Sequence, residues 1–452
     1  MAEMVQNKWL WIASEDLDTE LRQLRDEGLN TGQAERMIEK LQAMGNEKLF
    51  LPENQTEVCK VLDFTRQLAH AKGYEYDEPD ELKAIRKLRP DGPRRFQAPL
   101  SERKLADHIG GAWLGRCIGC LLGKPIEGVK TPELWGFLQA TGQWPLNDYI
   151  RFASKAKAAQ EYPGMLERKW FDSLDHMPVD DDTNYTLTGL LIVQQKGPDF
   201  TPADVGQFWM DNLPLLSTCT AERVAYRNLS LHIQPPESGR RYNPYREWIG
   251  AQIRADAFGY LAAGNPQRAA EWAWRDASIS HVKNGMYGEM FIAAAIAASS
   301  FVETIVDVIE AGLSEIPQTS RLYRSIVQVL QWYAEDMSYD QAVEQIHQIW
   351  DETNQHDWCH TISNAVICAT GLLWGEDDFG LSICRAVQPG FDTDCNGATV
   401  GSIMGMRHGK GGIDEKWSAR LNDTLKTSLR NYDTVRISDI SRQTTQLYKQ
   451  ID

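Results

Sequence analysis

The stretch GAWLGRCIGCLLGKPIEG, residues 111–128, decides the fold because it places a glycine at every fourth position of a predicted helix. Four glycines share one face of this helix: Gly111, Gly115, Gly119 and Gly123. A glycine costs a helix about 1 kcal/mol relative to alanine, so four of them need a structural reason. A membrane dimerisation face has a similar pattern, but this segment is short and flanked by charged residues. We therefore predict that another helix packs closely against this stripe in the centre of a helical bundle.

A second stretch, PGFDTDCNGATVGSIMG at residues 389–405, repeats the device with Gly397, Gly401 and Gly405. Two helices with small residues on one face suggest a tightly packed centre. From residue 101 onward alternating β patterns are nearly absent and helical periodicity dominates. The sequence therefore predicts an all-α main body.

The composition excludes some classes of function. The chain has 452 residues, with 42% hydrophobic and 24% charged residues, as in ordinary globular proteins. A net charge of −16 argues against nucleic-acid binding, because no basic excess is available to replace phosphate counterions. The most apolar run, residues 290–302, is too short to span a bilayer, so we expect no membrane association. No secretory signal is visible and the eight cysteines have no framework spacing, which favours a cytoplasmic location.

The first 95 residues differ from the rest. They are charged and amphipathic, with apolar residues at helical spacing. The stretch RPDGPRRFQAP, residues 89–99, then combines proline, glycine and basic residues as linkers do. We predict an N-terminal helical accessory segment at residues 1–95 and a main domain at residues 100–452.

Three groups of acidic residues are candidates for chemistry. The run PVDDDTNYT contains Asp180, Asp181 and Asp182, the opening of the second glycine stretch contains Asp392 and Asp394, and Glu127 follows the first glycine stretch. Adjacent carboxylates repel, and a hard divalent cation between them removes that repulsion. The alternative is that the run caps a helix on a solvated face, and that Glu127 caps a loop.

Histidines and further cysteines give weaker signals. The stretch HDWCH places His356 and His360 about one helical turn apart, with Trp358 and Cys359 between them. A zinc site is one interpretation, but no third ligand is evident, and solvated or cleft-lining histidines are favoured. Trp358 is able to stack on a base. The CxxC of Cys117–Cys120 lies inside the glycine helix and is interpreted as packing thiols.

Five motifs, taken together in order and spacing, resemble the ADP-ribosylglycohydrolase family, which includes the dinitrogenase-reductase-activating glycohydrolase. The motifs are GAWLGRCIGCLLGKPIEG, DDDTNYT, IGAQIRADAFG, ISHVKNGMYGE and GFDTDCNGATVGSIMG. The resemblance runs from about residue 101 to about residue 409 and omits the N-terminal segment. It implies an orthogonal multi-helix all-α fold and hydrolysis at the anomeric carbon of an ADP-ribosyl group.

The resemblance also implies one or two Mg²⁺ or Mn²⁺ ions and assigns residues to roles. Asp181, Asp182, Asp392 and Asp394 match the family's acidic metal ligands. We add Asp180 and Cys395, which stand at neighbouring ligand positions, to the predicted ligand set. The implied catalytic residues are Glu127, Asp181 and Asp392, with Glu127 as ligand or general base. The implied substrate-binding residues are Thr183, Arg254, His281 and Asn396.

Three positions depart from the family pattern. The first helix reads Gly119–Cys120 where the family often has Gly-Asp. Asp180 stands where the family usually has a threonine ahead of its acidic pair, and Cys395 stands where it has a threonine that supplies an oxygen ligand. A thiol is a poor ligand for Mg²⁺, so the resemblance leaves the number of bound ions open.

Alternative functions remain open at the level of sequence. The family's scaffold also serves in lens crystallins, so a non-catalytic ADP-ribose-binding or structural protein is one alternative. A hydrolase of free nucleoside-like molecules is another. The presence of the acidic residues favours an enzyme acting on a small-molecule or protein-linked ADP-ribosyl substrate. The aglycone, the linkage, the anomer and the oligomeric state are not determined by the sequence.

Overall fold

The computed structural model describes residues 8–97 and 100–451. Within those residues nearly all of the regular secondary structure is helical, which confirms the predicted all-α fold. The exception is a two-stranded antiparallel ladder formed by β1 (Thr424–Lys426) and β2 (Thr434–Arg436). Residues 1–7 of the predicted accessory segment, residues 98–99 of the predicted linker and residue 452 lie outside the described residues.

The helices follow one another with short connections. Those of the N-terminal segment are α1 (Ser14–Asp26), α2 (Gly32–Gln42), α3 (Asn46–Leu49), α4 (Pro52–Thr65) and α5 (Leu82–Leu88). The next are α6 (Glu102–Gly123), α7 (Thr131–Ala140), α8 (Pro163–Glu167), α9 (Asp181–Lys196), α10 (Pro202–Asn212), α11 (Thr220–Ser230), α12 (Glu237–Arg240), α13 (Asp256–Leu261) and α14 (Pro266–Ala277). The last are α15 (Lys283–Ser299), α16 (Ile305–Leu313), α17 (Arg321–Ala334), α18 (Tyr339–Ile349), α19 (Gln355–Cys359), α20 (Thr361–Leu373), α21 (Phe379–Val387), α22 (Thr393–His408), α23 (Glu415–Ser418) and α24 (Ile437–Ile451).

Short 3₁₀ helices complete the secondary structure. They lie at Lys8–Leu10, Lys124–Ile126, Lys157–Glu161, Arg168–Ser173, Leu215–Ser217, Gln252–Arg254, Lys410–Gly412 and Ala419–Leu421. The 3₁₀ turn at Lys124–Ile126 directly continues α6 and carries the chain into Glu127.

The two glycine helices, α6 and α22, pack against each other at the centre of the fold. A Cβ atom placed on Gly115 would lie 2.1 Å from the carbonyl oxygen of Gly401, and one on Gly111 would lie 2.3 Å from that of Gly405. Real Cβ atoms do not approach backbone oxygens so closely, because the atoms would overlap. The glycine stripes therefore allow direct backbone contact between the two helices, as the spacing predicts.

Helices α1 to α4 of the N-terminal segment have a small apolar core of their own, whereas the buried Ile85 of α5 belongs to the main core. The members of the small core are Ile12, Leu17, Leu21, Ile38, Leu41, Leu49, Val58, Val61 and Leu62. The segment contacts the main body through buried ion pairs, such as Glu20 with Arg246 and Glu78 with Arg321. A separate core agrees with an accessory segment, and the division into two domains stays a prediction.

The apolar run at residues 290–302 lies largely within α15, where it is buried in the main core. Among the described residues, no helix is both long enough and apolar enough to cross a membrane.

Candidate active site

Two helix N-termini and the end of α6 bring the acidic residues together. Asp180 is the N-cap residue of α9, where its side chain accepts the backbone N–H of Asp182, and Asp392 is the N-cap residue of α22. A Cβ atom on Gly123, the last residue of α6, would lie 2.1 Å from the carbonyl oxygen of Thr393. This contact fixes Glu127, four residues further on, beside the start of α22.

Most of the predicted ligands lie close enough to one another to share a cation. Glu127, Asp392 and Asp394 have ligand atoms within 4.8 Å of one another, as do Asp182, Asp394 and Cys395. Asp394 belongs to both groups and therefore links them. A third such group contains Asp180 and Asp182 with Cys120. Asp181 is in none of these groups, although it lies near enough to Asp180 and Asp394 to feel their charges.

The free oxygens of this cluster fit a divalent cation. Asp182 Oδ1 accepts a hydrogen bond from Arg116 at 2.7 Å, whereas Asp182 Oδ2 and Asp394 Oδ1 are buried with no hydrogen-bond partner. An unpaired buried carboxylate oxygen is costly, and Mg²⁺ or Mn²⁺ prefers such oxygens as ligands. The donor set therefore fits a hard cation bound between Asp182 and Asp394.

The pKa values reflect the crowding of negative charge. Burial, followed by the charges of Asp180 and Asp394, raises the pKa of Asp181 to about 7. The charge of Asp394, followed by burial, raises the pKa of Glu127 to about 9. Burial and the charge of Asp394 raise the pKa of Asp392 well above its usual range. The carboxyl groups therefore repel one another, and the positive groups nearby do not compensate their negative charge.

Two thiols adjoin the carboxylates. Cys395 is buried, and burial followed by the charges of Asp182 and Asp392 raises the pKa of its thiol well above the usual value. A neutral thiol is a weak ligand for Mg²⁺, which agrees with the predicted departure at this position. Cys359 donates to Asp392 Oδ2 at 3.6 Å, a contact that the sequence does not indicate.

Arg116 is a residue of the candidate site that the sequence pattern does not predict. It lies within α6, is fully buried, and donates to Asp182 Oδ1 while standing 3.3 Å from Asp256 Oδ2. The signal available in the sequence is an arginine inside a glycine-rich apolar helix, since a buried arginine needs carboxylate partners. Arg116 therefore positions Asp182.

Lys124 is a second cation that the sequence analysis missed. Its Nζ lies 2.5 Å from Asp180 Oδ2. Burial is the largest effect and would lower the pKa of Lys124, but the charge of Asp180 and the other negative groups nearby together outweigh it and raise that pKa, so the ammonium persists. Both oxygens of Asp180 thus have protein partners. The predicted role of Asp180 as a metal ligand stays a prediction.

The four residues predicted to bind substrate are buried among protein partners. Thr183 donates to the carbonyl of Asp180 at 3.3 Å, and the side-chain amide of Asn396 donates to Asn364 at 2.8 Å. Both follow the acidic residues at the helix starts. Their substrate-binding role stays a prediction.

Arg254 and His281 make no hydrogen bond or ion pair with the acidic cluster among the described residues. Arg254 is 1% exposed and pairs with Asp276 at 2.5 Å and Glu222 at 2.6 Å. His281, also 1% exposed, shares a hydrogen bond of 2.8 Å with Ser280, which accepts from Arg254. The structure thus places both residues in a buried polar network, and neither reaches the cluster directly. Substrate binding by them stays a prediction.

The histidines of HDWCH are largely buried but line surface clefts, His360 beside Arg321 and His356 beside Arg22, which agrees with the expectation of cleft-lining side chains. The indole N–H of Trp248 donates to Nδ1 of His356 at 3.0 Å, and the backbone N–H of Ile362 donates to Nδ1 of His360 at 3.1 Å. Because Nδ1 accepts in both rings, the ring hydrogen lies on Nε2, and His356 uses it to donate to Asp26 at 2.9 Å. Asp26 of α1 is the missing third side chain, but the two Nε2 atoms have no lone pair to offer a metal ion.

Trp358 and Lys130 form a rim beside the cluster. The half-buried indole of Trp358 donates to the carbonyl of Phe391 at 2.6 Å, and Lys130 Nζ lies 5.3 Å from the centre of the indole ring. Phe391 has φ of 60°, a conformation that a bulky residue adopts only under constraint. Trp358 thus holds the strained residue that directly precedes Asp392.

The protein is an all-α protein in which carboxylates gather at the N-termini of two helices, α9 and α22. The chain belongs to the ADP-ribosylglycohydrolase family, since the model of that family matches residues 101–449. This confirms the resemblance and supports a hydrolase-type enzyme. No curated protein matches the chain significantly. A solved structure of an ADP-ribosylglycohydrolase-related protein complex is similar at 17% identity and a TM-score of 0.46, with 77% of this chain and 100% of that chain covered.

Proposed function

We propose that this protein is a metal-dependent hydrolase that cleaves the glycosidic bond at the anomeric carbon of an ADP-ribosyl group. The observation that carries the proposal is the pair of unpartnered buried oxygens, Asp182 Oδ2 and Asp394 Oδ1, beside the exposed carboxyl of Glu127. Membership of the family supports the reaction class. The free oxygens support the dependence on Mg²⁺ or Mn²⁺.

Asp182, Asp392 and Asp394 would hold the cation, with Asp181 close by. A bound divalent ion supplies Lewis acidity, which lowers the pKa of water and orients hydroxyl groups of a sugar. Arg116 keeps Asp182 Oδ1 occupied, so that Oδ2 remains the oxygen available for the ion. The strained backbone at Phe391 orients Asp392.

Glu127 is the proposed general base. The leading cause of its raised pKa is the charge of Asp394, so Glu127 becomes ionised near neutral pH once that charge is compensated. An ionised Glu127 then accepts a proton from the attacking water. The remaining carboxylates stabilise the positive charge that develops at the anomeric carbon in an oxocarbenium-like transition state.

The rim of the site suits the two ends of an ADP-ribosyl group. The indole of Trp358 offers a face for a purine base, and the ammonium of Lys130 offers a charge for a diphosphate.

The free state of all eight cysteines supports the proposed cytoplasmic location, because reducing compartments keep thiols unpaired.

The test is a substrate screen with the metal varied. The purified full-length chain is incubated with ADP-ribosylated arginine, ADP-ribosylated serine, poly(ADP-ribose) or nucleosides, with Mn²⁺, Mg²⁺ or chelator, and released ADP-ribose or ribose is measured by chromatography. We expect metal-dependent release that Asp394→Asn abolishes and that Asp211→Asn, an exposed control, leaves unchanged. Release that persists in chelator would contradict the metal, and binding of ADP-ribose without turnover would favour the non-catalytic alternative.

A further inference from the structure

We propose that the ammonium of Lys124 acts as a built-in cation that occupies the place of a metal ion at Asp180, so that Asp180 does not ligate the metal. This inference rests on the metal centre of the proposed function. Lys124 thereby influences the affinity of the proposed centre for its metal ion.

The hydrogen bonds around Asp180 differ from those of its neighbours. Asp180 Oδ1 accepts the backbone N–H of Asp182 at 2.9 Å, and Asp180 Oδ2 accepts Lys124 Nζ at 2.5 Å. By contrast, Asp182 Oδ2 and Asp394 Oδ1 have no partner although both are buried. The oxygens of Asp180 are therefore occupied by protein donors, whereas Asp182 and Asp394 each keep one oxygen available for a metal ion.

Lys124 is held in place by the packing of α6. The preceding Gly123 lies against the carbonyl of Thr393, where a Cβ would approach to 2.1 Å, so the backbone at this point has no freedom to withdraw. The following Pro125 has its carbonyl bonded by Arg168 at 2.5 Å. The Lys124 side chain is 23% exposed and the Asp180 side chain is 0% exposed, which protects the ion pair from screening by salt.

Removal of the ammonium should make Asp180 available to a metal ion. Asp180 and Asp182 both lie at the start of α9 and have ligand atoms within 4.8 Å of each other. A cation bound by Asp182 Oδ2 would then gain the freed Asp180 Oδ2 as a further oxygen ligand. In the native chain the same oxygen is neutralised by Lys124, so its loss should matter little.

The test is a double-mutant cycle on the affinity for Mn²⁺ alone. Isothermal titration and electron paramagnetic resonance of free Mn²⁺ are applied to the full chain as wild type, Lys124→Met, Asp180→Asn and the double variant. We expect Lys124→Met to bind Mn²⁺ at least about tenfold more tightly and Asp180→Asn to bind within about threefold of wild type. The double variant should lose the gain.

The outcomes separate this inference from the proposed function. An unchanged affinity in Lys124→Met, or a gain that persists in the double variant, would overturn the role of Lys124 while leaving the metal centre intact. Absence of Mn²⁺ binding in all four proteins would overturn both. Lys196→Met removes an ammonium at the opposite end of α9, where it pairs with Asp204 at 3.4 Å, and it should bind Mn²⁺ like wild type. Lys124→Gln replaces Lys124→Met if the latter fails to fold.

Discussion

Gly119 of α6 faces the carbonyl oxygen of Gly397 in α22, and a Cβ atom on Gly119 would lie only 1.9 Å from that oxygen. Gly119→Ala should therefore force the two central helices apart. We expect a loss of about 3 kcal/mol in the free energy of unfolding, measured by denaturant titration, because the added methyl group meets backbone atoms that can move only if the packed helices separate.

Gly110 provides the matched control in the same helix. A Cβ at this position would meet Ser441 Oγ at 3.4 Å, which is an ordinary contact. Gly110→Ala should be neutral or stabilising by up to about 1 kcal/mol, since alanine favours helix. Equal stability of the two variants would contradict the close approach of α6 and α22.

The raised pKa values predict that added metal stabilises the protein more at pH 8 than at pH 5.5. Without metal, Asp181 has a pKa of about 7 and Glu127 of about 9, both above the values near 4 expected in the unfolded chain. The folded state then binds more protons than the unfolded state between about pH 4 and pH 9, so these groups destabilise the metal-free fold as the pH rises.

Thermal unfolding with and without Mn²⁺ at the two pH values checks this prediction. At pH 8 the ion neutralises repelling carboxylates, whereas at pH 5.5 it must displace protons from them. A shift in Tm that is equal at both pH values, or larger at pH 5.5, would count against the carboxylate cluster as the binding site. Asp394→Asn should reduce the shift at pH 8.

Arg116 is the positive charge on which Asp182 depends. Arg116→Met would leave Asp182 and Asp256 buried without their cation, and we expect a loss of about 3–5 kcal/mol in the free energy of unfolding. Mn²⁺ should recover part of this loss, because the freed oxygen of Asp182 adjoins the proposed ion. Denaturant titration with and without Mn²⁺ measures both effects.

Arg151 is the control for that substitution. Its side chain is 80% exposed and it stands 3.7 Å from Asp148, so Arg151→Met should change stability by less than about 0.5 kcal/mol. If Arg116→Met were as harmless as the control, Arg116 would not position Asp182.

The sequence predicts the centre of this fold because its cause is local. Glycines four residues apart define a helix face without knowledge of any other segment, and only one other stretch offers a matching face. The acids of the site are likewise visible, since Asp180 and Asp392 stand at the N-cap positions of the helices that follow them. The resemblance to the family then orders these motifs along the chain.

The partners of the site residues could not be predicted in the same way. Lys124 and Asp180 are 56 residues apart, and Asp26 and His356 are 330 residues apart, so nothing in their local sequence pairs them. The tautomers of His356 and His360 depend on Trp248 and a backbone amide, which only the tertiary structure supplies. The sequence shows which groups are charged, while packing decides which charges are already neutralised.

Two glutamates attach the N-terminal segment to the body: Glu20 in α1 and Glu27 directly after α1. Arg246 Nη1 lies 2.6 Å from Glu20, and Arg246 Nε lies 2.6 Å from Glu27. Arg246→Gln would leave both carboxylates buried without this cation, so we expect a loss of about 3 kcal/mol and faster amide exchange in α1. Arg66→Gln, which breaks the more exposed pair with Glu237, is the matched control and should leave exchange unchanged.

Arg246→Gln should also affect the candidate active site through Asp26. This residue lies in the last turn of α1 and accepts a hydrogen bond from His356. His356 and Cys359 share α19, and Cys359 donates to Asp392. Loosening of α1 should therefore also speed exchange in α19 and weaken Mn²⁺ binding in Arg246→Gln, measured by hydrogen exchange and titration. Exchange that rises in α1 alone, with unchanged affinity for Mn²⁺, would show that the segment is attached to the body without supporting the site.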